Sequence, residues 1–268
     1  MIHPHTYIHP DAKLATNVKI DPFTVIHQNV EIGEGTWIGS NVTIMEGARI
    51  GKNCRIFPGA VISASPQDLK FEGEITTVEI GDNTTIREFV TIHRGTKDRW
   101  KTVVGNNCLI MAYSHIAHDC IIGDHCIMSN NTQMAGHVSM GDYAILAGMC
   151  AVHQFVKIGK HAFIAGGSLV SKDVPPYIKA GRTPLSYAGV NSVGLKRKGF
   201  KIDQINHVLE IYRFIYNKGL NTTQAIRYIE EDFPASDEKD EIIAFIRQSG
   251  RGIIKRFSKN HFDEDLAD

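Results

Sequence analysis

Four histidines and one glycine have the residue types and the spacing that acid–base chemistry would use. His115 and His118 stand close together, Gly136 and His137 follow as neighbours, and His153 comes later. Imidazole titrates near neutral pH, so it is the usual general base, and it is also a common zinc ligand. A glycine amide can approach a reacting carbonyl closely because no Cβ intervenes. These residues can act together only if the fold stacks their segments on one another.

A six-residue repeat predicts the element that would stack them. Isoleucine or leucine falls on every sixth residue over 8–62, the phase returns over 80–92, and it resumes over 104–170 with Val and Met among the anchors. A small or β-branched residue follows most anchors by four positions. A helix has a period of about 3.6 residues and a strand a period of about 2, so neither explains a strict six. The repeat is typical of a parallel β-helix, with one short strand and one corner per hexad.

The repeat also predicts which residues stack. If each coil has three strands, as in known triangular β-helices, residues 18 positions apart lie about 4.8 Å apart. The histidine segments then lie in or just after one column, which would hold the anchor slots 62, 80, 98, 116, 134, 152 and 170. Asp68, Glu74 and Asp98 occupy anchor slots but cannot be core anchors. We therefore expect two excursions from the coil beside this column, near 63–77 and 94–102.

Composition places the protein in a broad class. The chain has 268 residues with 29 acidic and 29 basic side chains, so its net charge favours neither nucleic acid nor a membrane as partner. No apolar run approaches the roughly 18 residues of a transmembrane segment, and the polar, His-rich start does not resemble a signal peptide. All five cysteines fall in the small internal slot, which predicts packing residues in a reducing, cytoplasmic environment.

The periodicity divides the chain into two regions. The hexads predict a mainly β domain over 1–186. Helical periodicity then predicts an α-helical domain over 187–268, with one helix at 202–217. Asn221 and Ser236 have the residue types that cap helix N-termini, so we expect two further helices after them.

Three classes of function are compatible with the residues alone. One is acyl transfer, with His118 as base and the Gly136 N–H as oxyanion donor. The second is a zinc lyase in which histidines of neighbouring chains bind the metal. The third is a non-enzymatic binding or ice-adhesion surface, which would need flat rows of Thr that the sequence lacks. The stretch 151–201 favours the first class, because it has nine Lys or Arg and one acid, Asp173, and suits a polyanion such as a nucleotide diphosphate, phosphopantetheine or an acidic carrier protein.

The motifs around these residues resemble one enzyme family. The segments 115–120, 135–138 and 151–155 resemble the acyl-carrier-protein–UDP-N-acetylglucosamine O-acyltransferases, which perform the first step of lipid A synthesis. The segments 66–74 and 189–200 resemble the same family, so the similarity covers essentially the whole chain.

The resemblance implies a left-handed parallel β-helix that forms a homotrimer, with active sites between subunits. It implies transfer of a 3-hydroxyacyl chain from acyl carrier protein to the 3-hydroxyl of UDP-N-acetylglucosamine. No metal and no cofactor of its own is implied, because the phosphopantetheine arrives on the carrier. His118 would be the general base and the Gly136 amide would hold the oxyanion. Asp119 would orient His118, which needs a corner because neighbouring residues of a strand point apart.

The resemblance also implies the substrate contacts. The loop and the histidines would bind the substrates through Gln67, Asp68, Lys70, His115 and His137. The nucleotide and phosphate side would be lined by His153, Gln154, Asn191, Arg197 and Lys198.

Two positions depart from the family pattern, and one sets an expectation for chain length. Val193 stands where the family commonly has an acidic residue, and Lys198 stands where it often has Arg. Lys and Arg are not equivalent at a bidentate phosphate or uracil site, so nucleotide contacts there are expected to rearrange. Gly166 matches the position that limits the acyl chain in the family. Because glycine has no side chain to obstruct the cleft, we expect a chain of roughly 14 carbons or more.

Overall fold

The computed structural model describes residues 1–257, and most of them belong to a parallel β-helix. Its strands are mostly two residues long, because each hexad gives one short strand and then turns. In chain order they are β1 Tyr7–Ile8, β2 Lys13–Leu14, β3 Lys19–Ile20, β4 Val25–Ile26, β5 Glu31–Ile32, β6 Trp37–Ile38, β7 Thr43–Ile44, β8 Ala48–Ile50, β9 Arg55–Ile56, β10 Val61–Ala64, β11 Thr77–Ile80, β12 Thr85–Ile86, β13 Thr91–His93, β14 Lys101–Val104, β15 Leu109–Ile110, β16 His115–Ile116, β17 Ile121–Ile122, β18 Ile127–Met128, β19 Gln133–Met134, β20 Ser139–Met140, β21 Ile145–Leu146, β22 Ala151–Val152, β23 Lys157–Ile158, β24 Phe163–Ile164, β25 Leu169–Val170, β26 Ile178–Gly181 and β27 Ser186–Val190.

Up to β25, every third strand joins the same sheet, which confirms three strands per coil. Sheet 1 runs β1-β4-β7-β10-β13-β16-β19-β22-β25, and sheet 2 runs β2-β5-β8-β11-β14-β17-β20-β23. Sheet 3 runs β3-β6-β9-β12-β15-β18-β21-β24-β26-β27. The chain therefore turns at three kinds of corner, which we call corner 1–2, corner 2–3 and corner 3–1 after the sheets they join.

The predicted anchors fill the interior of the coil. The isoleucines from Ile26 to Ile116 in the anchor slots are almost completely removed from solvent. All five cysteines are buried and free, in agreement with their predicted packing role. Burial raises the pKa of the Cys120 thiol to about 12, so this thiol is inert at neutral pH.

Both excursions leave the coil at corner 1–2. The first connects β10 to β11, and the second connects β13 to β14. The predicted column was wrong in two of its slots. Ile62 pairs with Ile92 across 30 residues (92 − 62), and Ile92 pairs with Ile116 across 24 (116 − 92). Ile80 lies in sheet 2 instead, and Asp98 lies in the second excursion, because each excursion uses whole hexads without adding a strand.

A helical region packs onto the last coil. β27 pairs antiparallel with β26, and the predicted division between 186 and 187 falls at the start of β27. The helices are α1 Ser192–Arg197, α2 Ile202–Asn217, α3 Thr222–Asp232 and α4 Asp237–Arg247. The three predicted helices are present, with Asn221 and Ser236 as N-caps, and α1 was missed because it is six residues long. No helix within the described residues is long and apolar enough to span a membrane.

Candidate active site

A cavity of about 980 Å³ lies between corner 1–2 and the two excursions. Its size is in the range of small-molecule sites. Thr96, Lys97 and Asp98 of the second excursion contribute to its wall, as does Phe155 of the coil. The residues predicted from the sequence that line it are Gln67, Asp68, Lys70, His115, His118, Gly136, His137 and Gln154.

His118, which lines the cavity, forms a buried pair with Asp119. The His118 Nδ1 lies 2.7 Å from the Asp119 Oδ2, and both residues are buried. Asp119 has a φ of 60°, a left-handed conformation that Asp tolerates better than most residues. This corner conformation brings the two neighbouring side chains together, as the interaction requires.

The second excursion surrounds the Asp119 carboxylate with donors. Its Oδ1 accepts from the Thr96 N–H at 3.0 Å and the Arg99 N–H at 3.2 Å, and its Oδ2 also accepts from the Thr96 hydroxyl at 2.8 Å. Burial alone would raise the pKa of Asp119, but the hydrogen bonds from His118, Thr96 and Arg99 outweigh it and lower the pKa to about 2. The carboxylate is therefore charged at neutral pH and can only accept hydrogen bonds. His118 must then carry its proton on Nδ1, which leaves Nε2 as the basic nitrogen.

Gly136 lies directly beneath the His118 imidazole. A Cβ at this position would lie 2.7 Å from the His118 Cε1 and 2.8 Å from Nε2, so no other residue fits without moving the ring. Among the described residues, no hydrogen bond uses the Gly136 N–H. At corner 2–3 the equivalent N–H of Asp124 donates to the Asp142 carboxylate of the next coil. The free amide of Gly136 is thus a donor left available beside a base.

His137 completes this wall of the cavity. Its ring meets the His118 ring edge-on, with centroids 5.1 Å apart, and stacks on Phe155 at 4.5 Å. Its Nδ1 lies 3.0 Å from the Asp98 Oδ2 on the second excursion. The stack on Phe155 places the ring against the coil, whereas the Asp98 carboxylate lies close to Nδ1 without hydrogen-bond geometry.

His115 has a buried neighbour that sequence reasoning missed. The His115 Nδ1 lies 2.7 Å from the Thr91 hydroxyl, and the ring of His93 meets it edge-on at 4.7 Å. Burial and the neighbouring His115 and His118 lower the pKa of His93 to about 4, and burial also lowers the pKa of His115. Both rings are therefore neutral near pH 7. His93 could have been predicted from its position directly after the anchor Ile92, where the second excursion leaves the coil.

The remaining predicted residues do not line this cavity within one chain. His153 lies at corner 1–2, but its side chain is exposed and its Nδ1 approaches the Gln154 carbonyl at 3.1 Å. Gly166 lies at corner 3–1. Asn191, Arg197 and Lys198 lie near corner 2–3. The Asn191 Nδ2 donates to the His161 carbonyl at 3.0 Å, and Arg197 is the last residue of α1. The Lys198 Nζ lies 4.8 Å from the centre of the Tyr143 ring. The predicted set is therefore spread over three corners of one molecule.

His118, Asp119 and His137 also lie close enough to be considered as metal ligands, with ligand atoms within 4.8 Å of one another. The donor set does not fit a zinc site well. Each carboxylate oxygen of Asp119 already accepts two hydrogen bonds from the protein, and the His118 Nδ1 is bonded to that carboxylate. A metal ion would have to displace these partners.

Two family models match the chain. The model described as UDP N-acetylglucosamine O-acyltransferase, domain 2, matches residues 173–254. The model described as bacterial transferase hexapeptide (six repeats) matches residues 29–64 and 101–136.

Similar proteins share this sequence and fold over nearly their whole length. An acyl-[acyl-carrier-protein]–UDP-N-acetylglucosamine O-acyltransferase of Sulfurihydrogenibium sp. (strain YO3AOP1) is 58% identical over 259 residues, which covers 96% of each chain. The enzyme of the same name from Chlorobaculum parvum is 54% identical over 96% of this chain and 98% of its own. The crystal structure of a UDP-N-acetylglucosamine acyltransferase from Bacteroides fragilis has a TM-score of 0.94 at 51% identity, covering 95% of this chain and 100% of that one.

Proposed function

This chain belongs to the acyl-[acyl-carrier-protein]–UDP-N-acetylglucosamine O-acyltransferase family, and we propose that it transfers a 3-hydroxyacyl chain from acyl carrier protein to the 3-hydroxyl of UDP-N-acetylglucosamine. In this role it performs the first step of lipid A biosynthesis, in the cytoplasm. The single observation that carries the mechanism is the position of His118, which is bonded to Asp119 on one side and lies over the free amide of Gly136 on the other.

The first step is attack by the sugar hydroxyl. His118 Nε2 removes the proton of the 3-hydroxyl while its oxygen bonds to the thioester carbonyl carbon. The imidazolium that forms is stabilised by the charged Asp119 carboxylate, 2.7 Å from Nδ1. The carbonyl oxygen becomes an oxyanion, which the Gly136 N–H holds.

The second step is collapse of the tetrahedral intermediate. The carbon–sulfur bond breaks, the ester remains on the sugar, and the phosphopantetheine sulfur leaves with the proton from His118. The base returns to its starting state, so the cycle needs neither a metal nor a redox partner.

The substrate-binding roles follow the walls of the cavity. Gln67, Asp68 and Lys70 of the first excursion line it together with His115 and His137, and we assign the sugar and the start of the acyl chain to these residues. We assign the nucleotide and its phosphates to a set of polar and basic residues, of which only Gln154 lines the cavity of the same chain: His153, Gln154, Asn191, Arg197 and Lys198.

We propose that the site is completed by a second copy of the chain in a homotrimer. Gly166 and Lys198 lie at different corners from His118, so one molecule cannot place all three around one ligand. The outward side of sheet 3 has half-buried apolar residues on four successive strands, which would be covered in such an assembly: Leu109, Ile127, Ile145 and Phe163. This supports packing of one copy's sheet against another's corner.

A panel of donors and acceptors tests the function. The protein is supplied with 3-hydroxyacyl carriers of increasing length, acyl-CoA, UDP-N-acetylglucosamine and its 3-amino analogue. We expect hydroxyacyl carriers of about 14 carbons or more to be used best, because Gly166 leaves the cleft open. His118→Ala should lose most activity, whereas His9→Ala, an imidazole at the far end of the coil, should not. Stoichiometric zinc, or a clear preference for ten-carbon donors, would contradict the corresponding part of the proposal.

A further inference from the structure

The second excursion lines part of the cavity and also surrounds the Asp119 carboxylate. Thr96 contributes two of the four hydrogen bonds to the carboxylate, from its N–H to Oδ1 and from its hydroxyl to Oδ2. Arg99 adds its own N–H to Oδ1, and its guanidinium donates to the Asp119 carbonyl at 2.8 Å. Thr96 is itself 6% exposed, so water does not compete freely for these bonds.

We propose that Thr96 is a positioning residue for the acyl transfer, acting through Asp119 on His118. This inference rests on the proposed function for its kinetic consequences. The torsion that turns a carboxylate about its Cβ–Cγ bond has broad minima, so the group rotates unless its oxygens are held. The Thr96 hydroxyl and the His118 Nδ1 meet the same oxygen, Oδ2, at 2.8 and 2.7 Å. The two backbone N–H groups hold Oδ1, and the hydroxyl adds a bond to the oxygen to which the imidazole is bonded.

The position of the base depends on this orientation, because Asp119 is the only hydrogen-bond partner of the His118 ring among the residues the structure describes. If the carboxylate turns, the Nδ1–H loses its acceptor and the ring no longer lies where Nε2 meets the sugar hydroxyl. A displacement of about 1 Å at a catalytic group can reduce a rate by about a hundredfold. Binding of the nucleotide sugar does not require this orientation, so KM should be spared.

A buried threonine elsewhere in the coil provides a matched control. The Thr36 hydroxyl donates to the Gly51 carbonyl at 2.8 Å and accepts from the Cys54 N–H at 3.0 Å, so it joins neighbouring coils. Thr36 is completely buried and lies away from the cavity. Thr36→Val therefore removes a buried hydroxyl with a structural role only.

The kinetic experiment compares Thr96→Val, Thr96→Ser and Thr36→Val. We expect Thr96→Val to lower kcat by on the order of tenfold to a hundredfold with KM changed by less than about threefold. Thr96→Ser keeps the hydroxyl and should recover most of the rate, while Thr36→Val should lower the thermal midpoint and leave kcat near that of the unsubstituted protein. A Thr96→Val variant with unchanged kcat, or a serine variant as slow as the valine, would overturn the inference.

A readout without substrate separates this inference from the proposed function. With ¹⁵N-labelled histidine, the His118 Nδ1–H signal is identified by its loss in His118→Ala. It should exchange slowly with water in the unsubstituted protein and in Thr96→Ser, and rapidly in Thr96→Val. Equal exchange in all three would show that Thr96 does not position the pair. If the unsubstituted protein shows slow exchange of the His118 Nδ1–H but no acyl transfer, the result would contradict the proposed substrates alone.

Discussion

Replacement of Gly136 by alanine tests the geometry of the site most directly. The added Cβ would lie 2.7 Å from the His118 Cε1 and 2.8 Å from Nε2, whereas carbon contacts are ordinarily about 3.5–4.0 Å. The imidazole must therefore retreat by roughly 0.8 Å. Because the ring is bonded to Asp119 at 2.7 Å, this movement lengthens or bends that bond toward the limit of hydrogen bonding, about 3.2 Å.

The expected loss comes from misplacement of the base, because alanine keeps the backbone N–H of residue 136. Misplacement of a base by about 1 Å costs about a hundredfold in rate. We expect Gly136→Ala to lower kcat/KM by about a hundredfold, which corresponds to about 3 kcal/mol of transition-state stabilisation. Folding should be little affected, because the φ of Gly136 is not in the left-handed region and alanine can adopt it.

The assay measures kcat and KM with the best carrier donor, alongside the thermal midpoint. Gly250→Ala is the control, since an added Cβ there meets no atom within 4 Å and φ is also ordinary. In the double variant with His118→Ala, the alanine at 136 should cost little more, because the ring that it displaces is absent. If Gly136→Ala keeps more than about a third of the activity, the ring is not held over this glycine and the mechanism is wrong.

The remaining predictions concern Asp119, Gly166 and Phe163. Asp119→Asn should lower kcat by at least about a hundredfold, because the amide leaves the His118 tautomer unspecified; a variant with full activity would remove Asp119 from the mechanism. Hydrogen bonds lower the pKa of Asp119 from 3.8 to about 2, so they contribute stability that is complete above about pH 4 and is lost as pH falls toward 2. Urea unfolding at pH 2–5 should therefore show a free energy of unfolding that falls with pH, and Asp119→Asn should reduce this fall. Gly166→Met should shift donor preference toward shorter chains with a small loss in thermal midpoint, because its Cβ would lie 3.0 Å from the Gly148 carbonyl oxygen. Phe163→Asp should dissociate the proposed homotrimer in sedimentation experiments and abolish activity together.

The hexads predicted the coil well because burial acts on every anchor in the same way. An interior of fixed width accepts Ile or Leu at one slot and a small residue four positions later, so the sequence repeats wherever the coil continues. Asp68 and Asp98 revealed the excursions because a charge cannot occupy an anchor slot. The stacking column was still wrong at Ile80, since an excursion of whole hexads keeps the phase while it omits strands. A longer surface loop costs little extra free energy, so a loop can grow by whole hexads without penalty to the fold. Periodicity alone therefore cannot distinguish residues that form a strand from residues that leave the coil.

The residues of the candidate site also fall into two groups, those placed by the hexapeptide repeat and those placed by the irregular excursions. His118, Gly136 and Gln154 occupy the same position of successive coils, so the repeat alone predicts that they lie together. The support of Asp119 by Thr96 comes from the second excursion, where no periodicity operates and the contact depends on how one loop folds back. The regular coil thus positions His118 and Gly136, whereas the support of Asp119 depends on the irregular second excursion. Substitutions of the buried coil anchors should therefore act mainly through stability, and substitution of Thr96 in the excursion should act mainly on rate.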